Sequence, residues 1–527
     1  MASTTKDYKI IAAEKVSQRS SKIPKDWLIP TESFKDATHL LNIPTSCEIL
    51  DEVEIEITSD YDATALIGKL QAGDFSAEQV AVAFCKRAAI AQQLPSPGPA
   101  ASTPKDKRPR PHPSRPSGAS QSPLKDSFAY QGHDTSTGLA CYVDEPAPEH
   151  SSLAALLLDQ GAVLYCKTNL PQSIMTGDSD NHVFGRTRNP RNPRLTAGGS
   201  TGGEGALNRV PAVCNGVYGC RPSVGVVPHG GVRDLTVPGT VGVMSSAGPL
   251  ATSMRDISLF LETVMRAGTW KYDSTAISLP WCNLEPKKGP LRIGLVQNDG
   301  LYTPTPPVRR GLKKAADILR ARSDIELVPI TLPNVGQIFQ DLLSYYTLSG
   351  SDYYFEQFNR TGEPLVPSLQ ALEPLLLRPG TTLKGFFDLN VRRAAAAKTY
   401  LSLLRDNGMD MIMMPPAPHT AVPLDKWSTI AYTGLWNYLD YPAVVIPVDQ
   451  VRAEDVVDDV SNAQFGAEDA RVYSLYTGPE EYRDAPICVQ LIGYKHQDQV
   501  LMKNAARLDG IINGNLNFKD KYWFDWI

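Results

Sequence analysis

Two short stretches hold the residue types that could do chemistry. The first is TAGGSTGGEGAL, residues 196–207. Gly198, Gly199, Gly202 and Gly203 bracket Ser200 and Thr201. Without a Cβ, a glycine can take positive φ and bring its backbone close to a ligand. Ser200 and Thr201 would then stand at the tip of the turn, and Glu204 suits the first turn of a following helix. A flexible Gly/Ser loop is the plain alternative, but dense glycine spacing ahead of a helix argues against it. The stretch is not a phosphate-cradling loop, because no G-K-[ST] follows. Nor is it the strand-to-helix elbow of G-x-S-x-G, since no histidine with a supporting acid falls with it. The second stretch is PLKDSF, with Lys125 placed after an apolar residue at the start of a strand or loop. Taken alone, Lys125 reads as a solvated surface lysine. A third patch, GPLATSMRDISLFLETVM at 248–265, reads as a turn into a structural amphipathic helix.

The elements that must position these residues are legible from periodicity. YDATALIGKLQAG sets Ala65, Leu66 and Leu70 on one stripe and stops at Gly73. SAEQVAVAFCKRAAIAQQL repeats the pattern, with Ser76 as N-cap, Glu78 and Gln79 in the first turn, and Val80, Phe84 and Cys85 apolar. SSLAALLLDQG followed by AVLYCKTN is a helix stopping at Gly161, then a β-rich run. LRIGLVQNDG, PPVRRGLKKAADILRAR and IELVPITLP form a strand–helix–strand unit. Further helices are expected near 337–347 and 385–406, and MDMIMMPPAP, YPAVVIPV and APICVQLIGY read as strands before a helix at about 497–508. The fold class is therefore α/β, a largely buried sheet covered by helices. Residues 1–50 read as an N-terminal arm, 51–515 as one domain and 516–527 as a C-terminal tail. Residues 95–123 hold nine prolines and five Lys/Arg with no large apolar residue. Such a composition cannot bury enough surface to offset its ordering entropy, so 95–122 is expected to be a disordered interruption.

Composition narrows the function classes. The chain has 527 residues, 42% hydrophobic and 21% charged, enough for a sizeable core. A net charge of −5 provides no broad basic face for nucleic acid or anionic lipid. None of the eight cysteines forms a C-x-x-C pair, so neither a zinc knuckle nor a redox dithiol is indicated. The polar first twenty residues carry no apolar leader core, and no run reaches the length of a membrane span. A cytoplasmic protein without a cofactor is the expectation.

The order of the blocks resembles the amidase signature family, most closely its fungal acetamidase-like branch. The matching residues include PLKDSF, GAVLYCKTNLPQS, FGRTRNPRN, GGSTGGEGAL, RVPAVCNGVYGCRPS, GPLATSMRDI, YTGLWNYLDYPAVVIPV and DAPICVQLIGY, spread over roughly residues 50 to 515. The resemblance implies the amidase-signature fold, a large mixed twisted sheet with helices on both faces. It also implies a hydrolase that cleaves a carboxylic acid amide by a Ser–Ser–Lys mechanism, with no cofactor. The family's lysine falls on Lys125. Its bridging serine, held by a cis peptide bond, falls on Ser200. An amine with an ordinary pKa of about 10.4 can be freed as a base by burial among dipoles. It would then draw a proton through the bridging serine from a nucleophilic serine. Ile174 matches a position lining the substrate site, though a core role suits it equally.

One part of the pattern breaks. After GGEGAL the family carries a second glycine-rich segment, which holds the nucleophile and the oxyanion donors. Here Leu207 runs through Asn208 into Arg209, Val210 and Pro211, which match the residues just after that nucleophile. The partner serine immediately before Arg209 has no counterpart. Ser223, Ser245 and Ser246 lie in stretches that match non-catalytic parts of the family. Two readings follow: an amidase whose segment was lost from this sequence by a faulty gene model, or a catalytically inactive relative.

Overall fold

A computed structural model describes residues 6–30, 40–94, 121–200, 209–282, 287 and 289–514. Nine strands form two sheets among these residues. The smaller pairs β1 (Gln121–Lys125) with β2 (Val163–Thr168) in parallel. The larger is built from β3 (Tyr218–Arg221), β4 (Leu250–Ala251), β5 (Leu291–Leu295), β6 (Ile325–Pro329), β7 (Met411–Met414), β8 (Ala443–Gln450) and β9 (Pro486–Ile492). Its order is β4-β3-β8-β9-β7-β5-β6. β5 runs parallel to β6 and β7, and the remaining neighbours are antiparallel, so the sheet is mixed.

Both faces of this sheet are dry, and the strand period of two divides the side chains between them. Met411 and Met413 of β7 enter one core with Val444, Val489 and Leu491, covered by helices Met254–Ala267, Pro306–Arg320 and Asp498–Ile512. Ile412 and Met414 enter the opposite core with Ala443 and Ile492, covered by helices Val335–Tyr346, Leu383–Asp406 and Ala431–Leu439. Continuous apolar strands such as MIMM are what a doubly covered sheet demands.

The helix ends follow local chemistry. Ser76 caps helix Ala77–Gln93 by accepting from Gln79 N, while the Gln79 side chain accepts from Ser76 N, a reciprocal capping box. Asp62 caps Ala63–Ala72, which ends at Gly73 with φ 82°. In the N-terminal arm, helix Tyr8–Ser20 lays Tyr8 and Ile11 against Ala140, Val183 and Phe184.

Two expectations change. Residues 121 and 122, placed in the disordered interruption, belong to β1. Lys125 is the last residue of that strand rather than near its start. QSPLK has little intrinsic β preference; the parallel neighbour β2 supplies the ladder. The rest of the proline-rich interruption lies outside the described residues. So do residues 201–208, which include Thr201 and Glu204, and the tail 516–527.

Candidate active site

The β1–β2 ladder delivers Lys125. Its Cα pairs with Thr168, and the ladder continues one step as Asp126 N donates to Thr168 O (3.2 Å). Leu124, on the other face of the strand, enters the sheet core. Lys125 itself is only 6% exposed, so the solvated reading of this lysine does not hold. Asp126 anchors the turn behind it. One carboxylate oxygen accepts from Ser136 N (2.9 Å), Ser136 Oγ (2.6 Å) and Thr137 N (3.0 Å), and the other lies 3.3 Å from Lys167 Nζ. Burial pulls the Lys167 ammonium below the ordinary lysine value, while Asp126 pulls it back up.

The glycine loop delivers Ser200. Lys125 Nζ donates to Ser200 Oγ at 2.9 Å, which brings together two side chains 75 positions apart. The Gly199–Ser200 peptide is cis. The loop is threaded between two walls. A Cβ on Gly199 would lie 2.1 Å from Thr176 O, and one on Gly198 (φ 85°) would lie 2.8 Å from Pro211 Cα. Glycine is therefore required at both positions by close approach of backbone. Ser179 Oγ donates to Gly198 O (3.0 Å), Asn215 Nδ2 donates to Ala197 O (2.8 Å), and Gly198 N donates to Thr196 Oγ1 (3.0 Å). Nothing in the local sequence marks Ser179, Asn215 or Thr176, because each reaches the loop only through the tertiary fold.

Helix Arg209–Asn215 forms the far wall. Arg209 is 1% exposed and donates to Gln490 Oε1 (3.1 Å), Thr433 O (2.7 Å) and Asn437 Oδ1 (2.6 Å). Burial, with a smaller push from the Arg221 charge, lowers its pKa. This arginine pins the start of the helix to the main sheet.

Ile174 closes a short turn, Gln172–Ile174, in which Ser173 and Ile174 both take positive φ (63° and 68°), an uncommon conformation for such residues. Ser173 N donates to Thr137 O (3.0 Å), and its Oγ lies 2.5 Å from Tyr354 OH. Thr137 in turn donates to Asp126, so the turn is tied to the strand end that carries Lys125. Ile174 is half-buried. Of the remaining serines, Ser223 is fully buried and structural: its N donates to Asp498 Oδ1 (2.8 Å) and its Oγ accepts from His496 N (2.9 Å).

The buried Lys–Ser pair, the glycine loop and the doubly covered mixed sheet define one class of protein. The profile of the Amidase family matches residues 123–207 and 208–502, and the chain belongs to that family. Among its relatives is the acetamidase of Emericella nidulans, 32% identical over 554 residues, covering 96% of this chain and 98% of the relative. The acetamidase of Aspergillus oryzae is 32% identical over 533 residues, covering 93% and 96%. Among solved structures, fatty acid amide hydrolase superposes with a TM-score of 0.85 at 24% identity, covering 98% of each chain. The peptide amidase of Stenotrophomonas maltophilia superposes with a TM-score of 0.63 at 19% identity, covering 86% of this chain and 98% of that one. At these identities the superpositions establish the amidase-signature α/β fold. Among the described residues, no helix is long and apolar enough to cross a membrane.

Proposed function

We propose that this protein hydrolyses a carboxylic acid amide to acid and ammonia through a Ser–Ser–Lys relay, with Lys125 as base and Ser200 as the bridging serine. The observation that carries this reading is the 2.9 Å contact between the buried Lys125 amine and Ser200 Oγ. The neutral amine accepts the Ser200 hydroxyl proton as Ser200 accepts one from the nucleophile. The nucleophile's oxygen attacks the carbonyl carbon, the C–N bond breaks and ammonia leaves with the returned proton. Water then repeats the attack on the acyl-enzyme and frees the acid. Ile174 would line the acyl side. A small acetamide-like amide is the substrate class that suits the acetamidase relatives, in a cytoplasmic enzyme of fungal type.

The nucleophile belongs to a segment between Leu207 and Arg209 that this sequence lacks. The division of the family match between residues 207 and 208 supports a loss there. The test is to sequence the mature transcript across codons 90–215 and assay ammonia release by the protein it encodes. Ammonia release that disappears in Lys125→Ala is expected. A second reading, an inactive relative, takes the sequence literally. A transcript identical to this sequence, encoding a folded protein that releases no ammonia, would favour it.

A further inference from the structure

The loop that follows β3 folds back over the end of β1. Phe128 bridges Val232, and Arg233 N donates to Ser127 O (2.9 Å). Phe128 N in turn donates to Lys125 O (2.9 Å), so this loop is a wall of the lysine site. His229 sits in it, and three contacts fix its position. Asp273 accepts from the backbone N of His229 (2.7 Å) and of Gly230 (2.6 Å). The imidazole meets the Phe128 ring edge-on, with centroids 5.8 Å apart at 88°. On its other side, Nε2 lies 2.7 Å from Ser245 Oγ, and Ser245 is exposed to solvent.

We propose that Ser245 and His229 form a nucleophile–base pair beside Lys125, which acylates at Ser245 with activated esters and organophosphonates. The pair uses no residue of 201–208, and it goes beyond amide hydrolysis, on which it does not depend. Serine is a poor nucleophile unless a base within hydrogen-bond reach takes its proton, and 2.7 Å is such a reach. In the tautomer protonated at Nδ1, Nε2 accepts the hydroxyl hydrogen. Burial, opposed by Asp234 and Asp273, holds the His229 pKa down at about 4, so the ring is neutral at neutral pH and its Nε2 lone pair is not taken up by a proton. Nδ1 is buried and has no hydrogen-bond partner among the described residues. Among the described residues no carboxylate hydrogen-bonds the ring, as the acid of a full triad does. That restricts the pair to electrophiles whose leaving group departs without protonation.

With an aryl ester the steps balance as follows. The Ser245 proton moves to His229 Nε2 as the Oγ–C bond forms. The C–O bond to the aryl group breaks and the aryloxide departs. The proton held by His229 returns to solvent. Water then gives a proton to His229, its oxygen bonds the acyl carbon, the bond to Oγ breaks, and Ser245 recovers the proton. With an alkyl fluorophosphonate, fluoride leaves and the O–P bond persists.

The experiment treats the full 527-residue chain with an alkyl fluorophosphonate at pH 7 and locates the adduct by peptide mass spectrometry. The expected result is one adduct on Ser245, absent from Ser245→Ala and formed at least ~10²-fold more slowly in His229→Gln, the usual range for a lost general base. Ser245 is on the surface, so Ser245→Ala should keep the wild-type circular dichroism and melting curve. An adduct on any other serine, no adduct, or an unchanged rate in folded His229→Gln would overturn the proposal. None of these results bears on ammonia release by the protein with the complete segment.

Discussion

Replacing Gly199 with alanine tests whether the Lys125–Ser200 geometry is imposed by the walls of the loop. The added Cβ would sit 2.1 Å from Thr176 O, 2.9 Å from Gly177 C and 3.0 Å from Thr176 C. All three are backbone atoms, so no flexible side chain can swing away. Ordinary contact requires the methyl to retreat by about 1 Å, and the opposite wall is already tight, since Gly198 faces Pro211. The loop must therefore shift along its own direction, which carries Ser200 Oγ off the lysine. A displacement of about 1 Å at a reacting group costs roughly 10²-fold in rate, and overpacking costs about 1–3 kcal/mol of stability. The stability loss is read by urea unfolding of the chain as given. The rate loss is read as kcat for ammonia release by the protein with the complete segment. Gly68→Ala is the matched comparison. Its Cβ meets nothing within 4 Å in the helix Ala63–Ala72, so it should leave kcat unchanged and raise stability by up to about 1 kcal/mol. A Gly199→Ala protein with wild-type stability and kcat would refute the claim that backbone packing sets the Lys125–Ser200 contact.

Other substitutions probe the surroundings. Burial, with the Asp425 charge adding, raises the Asp178 carboxyl to about 6, so the folded state holds its proton more tightly than the unfolded chain. Stability from this group is complete below the ordinary value of 3.8 and declines as pH rises through about 6. Asp178→Asn should thus match the wild type near pH 4 and exceed it by about 3 kcal/mol at pH 8, measured by urea unfolding at both pH values. Arg209→Ala would empty a buried site and leave the acceptors on Gln490, Thr433 and Asn437 unpaired, for a loss of about 3 kcal/mol or more in the same assay. Ser76→Ala removes one half of a capping box and should cost about 1 kcal/mol. His229, with its pKa lowered, should show no change in its imidazole NMR shifts between pH 8 and pH 5.5 and titrate only near pH 4.

What could be read from sequence was what depends on neighbours along the chain. The Ser76 cap, the stop at Gly73 and the apolar runs of β7, β8 and β9 follow from periodicity and capping chemistry, and the structure places them there. The pairing of Lys125 with Ser200 came from family resemblance, since no local pattern links residues 75 apart. The burial of Lys125 could not be read either. It depends on β1 joining β2, and QSPLK does not look like a strand until β2 is beside it. The His229–Ser245 contact is of the same kind. The two residues are 16 apart across irregular chain, and the stretch holding Ser245 carries no motif of its own.

The described parts of the proposed site are anchored independently of one another. Lys125 is fixed by the β1–β2 ladder and the Asp126 network. Ser200 follows a loop wedged between Thr176 and Pro211 and tied by Ser179 and Asn215. Arg209 is pinned by Gln490, Thr433 and Asn437. None of these anchors is made by residues 201–208. An added segment between Leu207 and Arg209 would therefore extend an existing connection between two fixed points, and each doubling of such a connection costs only about 0.6 kcal/mol in closure entropy. Lys125, Ser200 and Arg209 need not move to receive it.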